Sequence, residues 1–165
     1  MSEQFCDVGR GITLCYETFG DPSDPTALLI MGLGTQMVAW HEDFCRELAG
    51  RGLHVVRFDN RDIGRSTHLT GRPPTIAQLL RRSRRAARYT LGDMADDAAG
   101  LLSELDLAPA HVIGASMGGM IAQTLAARHR DAVRSLVSIM SNTGNIRSTL
   151  IPGASRGTRS CDCCW

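Results

Sequence analysis

The tightest constraint on this chain is the stretch Gly114-Ala115-Ser116-Met117-Gly118. A short apolar run, His111-Val112-Ile113, leads into it, and Ile121 to Arg128 read as a helix after it. Such an order describes a strand that stops, reverses through a serine and becomes a helix. A serine at that corner is forced into a strained backbone conformation, and Gly114 and Gly118, two positions to either side, leave the room that a larger side chain would fill. The hydroxyl of Ser116 then stands clear of the sheet, at the start of a helix whose unpaired N–H groups and dipole favour developing negative charge. A plain strand-to-helix turn with a bystander serine uses the same few residues, so the flanking strand and helix carry the argument.

Earlier segments supply the rest of an alternating pattern. Phe5 to Val8 and Ile12 to Thr18 read as two strands of a hairpin turned by Gly9-Arg10-Gly11. After the loop Gly20 to Pro25, the run Ala27 to Met31 is apolar without alternation, as suits a central strand covered on both faces. It runs directly into Gly32-Leu33-Gly34, where glycine lets backbone N–H groups approach a ligand closely. Val38, Trp40, Phe44 and Leu48 have helical spacing over Met37 to Ala49, ended by Gly50 and Gly52. His54 to Phe58 reads as another strand, followed by the loop Asp59 to Ser66. Thr90 and Asp93 form a variant capping box for a helix carrying Met94, Ala98, Leu101, Leu102 and Leu105, and Val133 to Met140 reads as one more strand. Strands and helices alternate from Ala27 onward, which predicts a mostly parallel, doubly wound sheet.

In their order, these motifs resemble the α/β-hydrolase fold superfamily, and within it the serine carboxylesterases and methylesterases, over roughly residues 5 to 144. Gly114 to Gly118 resembles the nucleophile elbow, Gly32-Leu33-Gly34 the His-Gly-x-Gly loop, with Met31 in place of His, and Asp59 to Ser66 the Asp-x-Arg-Gly-x-Gly-x-Ser loop, with Asp62 in place of a glycine. The resemblance implies an acyl-enzyme mechanism in which Ser116 is the nucleophile and the backbone N–H groups of Leu33 and Met117 hold the oxyanion. Gly32 and Gly34 shape that loop, and Gly114 and Gly118 shape the elbow. Asp59 and Arg61 are assigned to holding their loop rigid rather than touching substrate. No cofactor and no metal are implied, and the substrate class is a small ester-like molecule. Haloperoxidases and lyases share the scaffold and stay open as alternatives.

Bulk properties narrow the partners. The 165 residues suit one domain, and 18 Lys+Arg against 17 Asp+Glu leave a net charge of +1, with no global field for nucleic acid or an anionic membrane. No stretch approaches the ~18 apolar residues that span a bilayer, and the first residues lack a basic, apolar leader, so a cytoplasmic protein is expected. Nothing in the sequence sets an oligomeric state. Arg81, Arg82, Arg84, Arg85 and Arg88 could make a basic helix face, read here as solvated. Cys6, Cys15 and Cys45 stand singly and read as small buried hydrophobes, whereas Cys161, Cys163 and Cys164 lack the paired clusters of a structural zinc site. No Lys-Ser/Thr pair follows the glycines, which argues against a phosphate loop.

A serine needs a base held by a third group. His129 falls near the end of the elbow helix, nearly 20 Å from the hydroxyl at about 1.5 Å of rise per residue. His54 and His111 open strands at the wrong end of the sheet, His68 lies beyond the Asp-x-Arg loop, and His41 follows the glycine loop within possible reach of the pocket. Asp131 precedes a strand at its amino end, and Asp162 is in the tail. The triad acid and histidine are therefore expected to be absent. Residues 146–165 show no helical or strand period, and their Arg, Ser, Gly and Cys content resembles a GC-rich gene read out of frame. The expectation is the first part of a hydrolase domain over residues 1–145, cut short after about the sixth strand, with an irregular tail over 146–165 and, as the competing reading, a catalytically inactive fragment.

Overall fold

The computed structural model describes residues 3–69 and 88–143. Six strands, β1 (Gln4–Asp7), β2 (Thr13–Phe19), β3 (Thr26–Ile30), β4 (His54–Phe58), β5 (Ala110–Ala115) and β6 (Val133–Ile139), form one sheet in the order β1-β2-β4-β3-β5-β6. β1 and β2 form an antiparallel hairpin that joins β4 antiparallel; β4, β3, β5 and β6 run parallel. Interleaved with the parallel strands are α1 (Glu42–Ala49), α2 (Leu91–Glu104) and α3 (Met117–Arg128). This is the mixed, mostly parallel arrangement that the strand and helix alternation predicts.

β3 is apolar without alternation because both its faces are covered. Leu28 and Ile30 join Val56, Phe58 and Val112 in a layer packed against α2 and α3, while Ala27 and Leu29 join Phe19 and Val55 in a layer packed against Trp40 and Cys45. α2 starts where its capping box requires: Asp93 N–H donates to Thr90 Oγ1 at 3.2 Å, and Thr90 N–H donates to the Asp93 carboxylate at 2.7 Å. The helix read over residues 37–49 is instead two pieces, a single 3₁₀ turn at Met37–Ala39 and α1 from Glu42. Trp40 breaks it. Its backbone is extended (φ −74°, ψ 91°), its carbonyl accepts from the buried Arg57, and its ring stacks on Phe44 with centroids 5.6 Å apart. Tertiary anchoring overrides the periodicity there, and Val38 and Phe44 are left exposed.

Two buried arginines tie the layers together. Arg57 pairs with Glu17 (2.9 Å) and lies over the Phe19 ring, and Arg61 grips Asp97 of α2 through two 2.6 Å hydrogen bonds and lies over Tyr89. Cys6, Cys15 and Cys45 are buried and unlinked, and burial pushes the Cys15 thiol up to about 11. Among the described residues β6 pairs only with β5, and Leu136, Val137 and Ile139 remain exposed. No helix among the described residues is long and apolar enough to cross a membrane. The basic positions Arg81, Arg82, Arg84 and Arg85, the segment 146–165, and with it Asp162 and the three C-terminal cysteines, lie outside the described residues.

Asp97→Ala would leave the Arg61 guanidinium buried without its carboxylate, so it is expected to lower unfolding stability by about 3–5 kcal/mol in urea titration. His54, buried at the start of β4 with Nδ1 unpartnered among the described residues, has its pKa lowered from 6.5 by burial, partly opposed by Asp21 and Asp24. The unfolded chain takes that proton first, so stability present above about pH 6.5 is lost as the pH falls below it. His54→Phe is expected to flatten that part of the pH–stability curve in thermal melts.

Candidate active site

β5 ends at Ala115 and α3 starts at Met117, so a single residue makes the corner. Ser116 takes φ +54° and ψ −121°, a region that costs a non-glycine residue about 1–3 kcal/mol. Its N–H donates to Ile139 O of β6 at 2.9 Å, and its carbonyl accepts from Gly119 N at 3.0 Å, so neighbouring chain holds the strained backbone on both sides. The Ser116 side chain is exposed, does not cap α3, and bonds to no other described residue.

Space, rather than conformation, explains the elbow glycines. A Cβ at Gly114 would lie 2.2 Å from Gly118 O, and one at Gly118 would lie 2.2 Å from Ile30 O at the end of β3. Neither glycine has a positive φ. The loop after β3 closes on the same corner: a Cβ at Gly32 would stand 3.1 Å from Ser116 Cβ and 3.5 Å from its Oγ. Gly34 differs, with open space around it but φ +67°, which glycine adopts without strain. Between them Leu33 is exposed, and its N–H has no acceptor among the described residues. The same is true of the N–H of Met117, the first residue of α3. A strained hydroxyl with two unused main-chain donors on adjacent segments is chemically able to present an oxygen to an electrophilic carbon while hydrogen-bonding the charge that develops on its neighbour.

None of the five histidines bonds to Ser116. His41 caps α1, its Nδ1 accepting from Asp43 N at 3.4 Å; His68 Nε2 lies 3.0 Å from Gly64 O. His111 Nδ1 lies 2.7 Å from Ser135 Oγ, and His129 Nε2 lies 2.7 Å from Asp96. His54 is buried where β4 begins. Asp131 sits on the exposed 3₁₀ turn that precedes β6.

The loop after β4 has the structural part assigned to it. Asp59 is buried and accepts from Met37 N at 2.7 Å and Arg65 N at 3.2 Å, while Arg61 turns away toward α2. Asp62, standing in place of a glycine, has φ +63°, a conformation that aspartate tolerates better than most side chains, and its carboxylate accepts from Leu69 N at 2.7 Å. One residue escaped the sequence reading. Asn60 is 2% exposed and donates from Nδ2 to Met31 O at 3.0 Å, immediately before Gly32. The available signal was an adjacent Asp-Asn pair directly after the strand carrying Val55, Val56 and Phe58.

Comparison with known proteins places this geometry in context. A family model for the alpha/beta hydrolase fold matches residues 25–154. Rhodomycin D methylesterase DauP of Streptomyces sp. (strain C5) is 35% identical over 115 residues, covering 70% of this chain and 34% of that protein. The crystal structure of a hydrolase from Pseudomonas aeruginosa PA01 superposes with a TM-score of 0.70 at 27% identity, over 84% of this chain and 46% of that one. The enol-lactonase from Burkholderia xenovorans LB400 superposes at 0.63 with 29% identity, over 79% and 44% respectively. The chain thus spans between a third and a half of the length of these relatives. With the family match covering most of its residues, and with the six-stranded sheet in the order described, the chain belongs to the alpha/beta hydrolase fold family.

Proposed function

We propose that this chain carries the nucleophile half of a carboxylic ester hydrolase site. Ser116 Oγ attacks the ester carbonyl carbon and forms the new C–O bond. The carbonyl π electrons move onto oxygen, and the N–H groups of Leu33 and Met117 hydrogen-bond that oxyanion. Collapse of the tetrahedral intermediate breaks the bond to the leaving alkoxide, which takes a proton, and leaves an acyl-serine that water hydrolyses. The observation that carries the reading is the strained, uncapped Ser116 with Gly32 packed against its side chain. A methylesterase among the relatives supports a carboxylic ester as the substrate class.

The proton on Ser116 needs an acceptor, and each of the chain's five histidines is placed or engaged elsewhere. Within this reading, no residue of the chain is assigned as the triad histidine or its acid. With the chain alone, water takes the proton and the reaction is slow.

An activated aryl ester such as p-nitrophenyl acetate is expected to acylate Ser116, detected by peptide mass, at a rate on the order of the 10³–10⁴ over water that remains when triad members are removed from serine hydrolases. Ser116→Ala abolishes this; acylation that survives the substitution would overturn the assignment. His41→Ala, His68→Ala, His111→Ala and His129→Ala are each expected to leave the rate within about twofold, since catalysis by a positioned base would contribute about 10²–10⁴. A large loss in any one of them would identify a base within the chain and refute the half-site reading.

A further inference from the structure

Loop 31–40, which carries Gly32-Leu33-Gly34, is held at three points from one neighbouring strand end. Asn60 Nδ2 donates to Met31 O at 3.0 Å, at the start of the loop. Asp59 Oδ1 accepts from Met37 N at 2.7 Å, where the 3₁₀ turn begins. Arg57 donates to Trp40 O at its far end. Arg57, Asp59 and Asn60 are 6%, 3% and 2% exposed, so these bonds form out of reach of competing water. Asp59 is unusual among them. Among the described residues its carboxylate has no cationic side chain, only the N–H groups of Met37 and Arg65, and Gly64 wraps so closely that a Cβ there would lie 1.9 Å from Asp59 Oδ2.

We infer that Asp59 and Asn60 are positioning residues that fix the Leu33 amide against Ser116 by clamping loop 31–37 at both ends. The inference rests on the ester-hydrolase reading above. The Asn60 bond lies one residue before Gly32, whose Cβ position is 3.1 Å from Ser116 Cβ, so a slip at Met31 is transmitted directly to the contact with the serine. The Asp59 bond blocks the compensating slip at the other end. An oxyanion donor acts only at hydrogen-bond distance from an oxygen that exists in the transition state, and a misplacement of ~1 Å costs about 10²-fold. Neither residue touches substrate in this scheme.

The test compares isosteric variants in the intact chain with p-nitrophenyl acetate, separating the maximal acylation rate at Ser116 from the half-saturating ester concentration, and follows amide hydrogen exchange in parallel. Asn60→Asp exchanges the donor to Met31 O for a repelling carboxylate. It is expected to lower the maximal rate by about ten- to a hundredfold, with half-saturation little changed and exchange accelerated across residues 31–37. Asp59→Ala is expected to do the same. Asp59→Asn keeps an oxygen for Met37 N and is expected to restore most of the rate. A wild-type rate in Asn60→Asp, or an Asp59→Asn variant as slow as Asp59→Ala, would overturn the inference. So would unchanged exchange at residues 31–37. If the unsubstituted chain is not acylated at Ser116, the ester-hydrolase reading fails, and the exchange data in Asn60→Asp still decide whether the clamp holds the loop.

Discussion

The structure depends on one close approach of main chain to main chain. At the end of β3 the Ile30 carbonyl occupies the place where a side chain at Gly118 would be, so α3 starts in contact with the central strand. Gly114 and Gly32 extend the same contact to the end of β5 and to the loop after β3. Two stretches distant in sequence, the end of β3 with its loop and the β5–α3 corner, therefore meet within a few ångströms, and Ser116 is the residue left facing outward at the junction. One methyl group at Gly114 or Gly118 would force them apart, which ties sheet geometry and site geometry to the same atoms.

Around that junction the end of β4 is unexpectedly polar. Arg57, Asp59, Asn60 and Arg61 are all buried within five positions. Burying such groups is unfavourable unless their hydrogen-bonding capacity is used, and each of them bonds to carboxylate or main chain. The division of labour is spatial. Arg61 faces α2 and serves the packing of layers; Asp59 and Asn60 face the loop after β3. A single strand end thus links the helical layer on one side with the candidate site on the other.

Much of this was legible in the sequence because it rests on local rules. The glycine spacing about Ser116, the unbroken apolar run of β3, and the Thr90–Asp93 cap each have one economical structural meaning, and the structure has them. The glycines of the loop after β3 were visible for the same reason. What was not legible came from long-range contacts. The spacing of Val38, Trp40, Phe44 and Leu48 suggested one helix, yet Arg57, seventeen residues from Trp40, captures the Trp40 carbonyl and interrupts it. Asn60 looked like loop filler, because its meaning lies in Met31, 29 residues away.

The left-handed backbone of Ser116 sets stability against chemistry at one position. Glycine accepts that conformation without the penalty, so the fold by itself would be better served by glycine at residue 116. The hydroxyl is thus retained at a thermodynamic disadvantage. Exchanging serine for glycine there would gain robustness wherever the oxygen does no chemistry, so rigidity and reactivity trade against each other at this one corner.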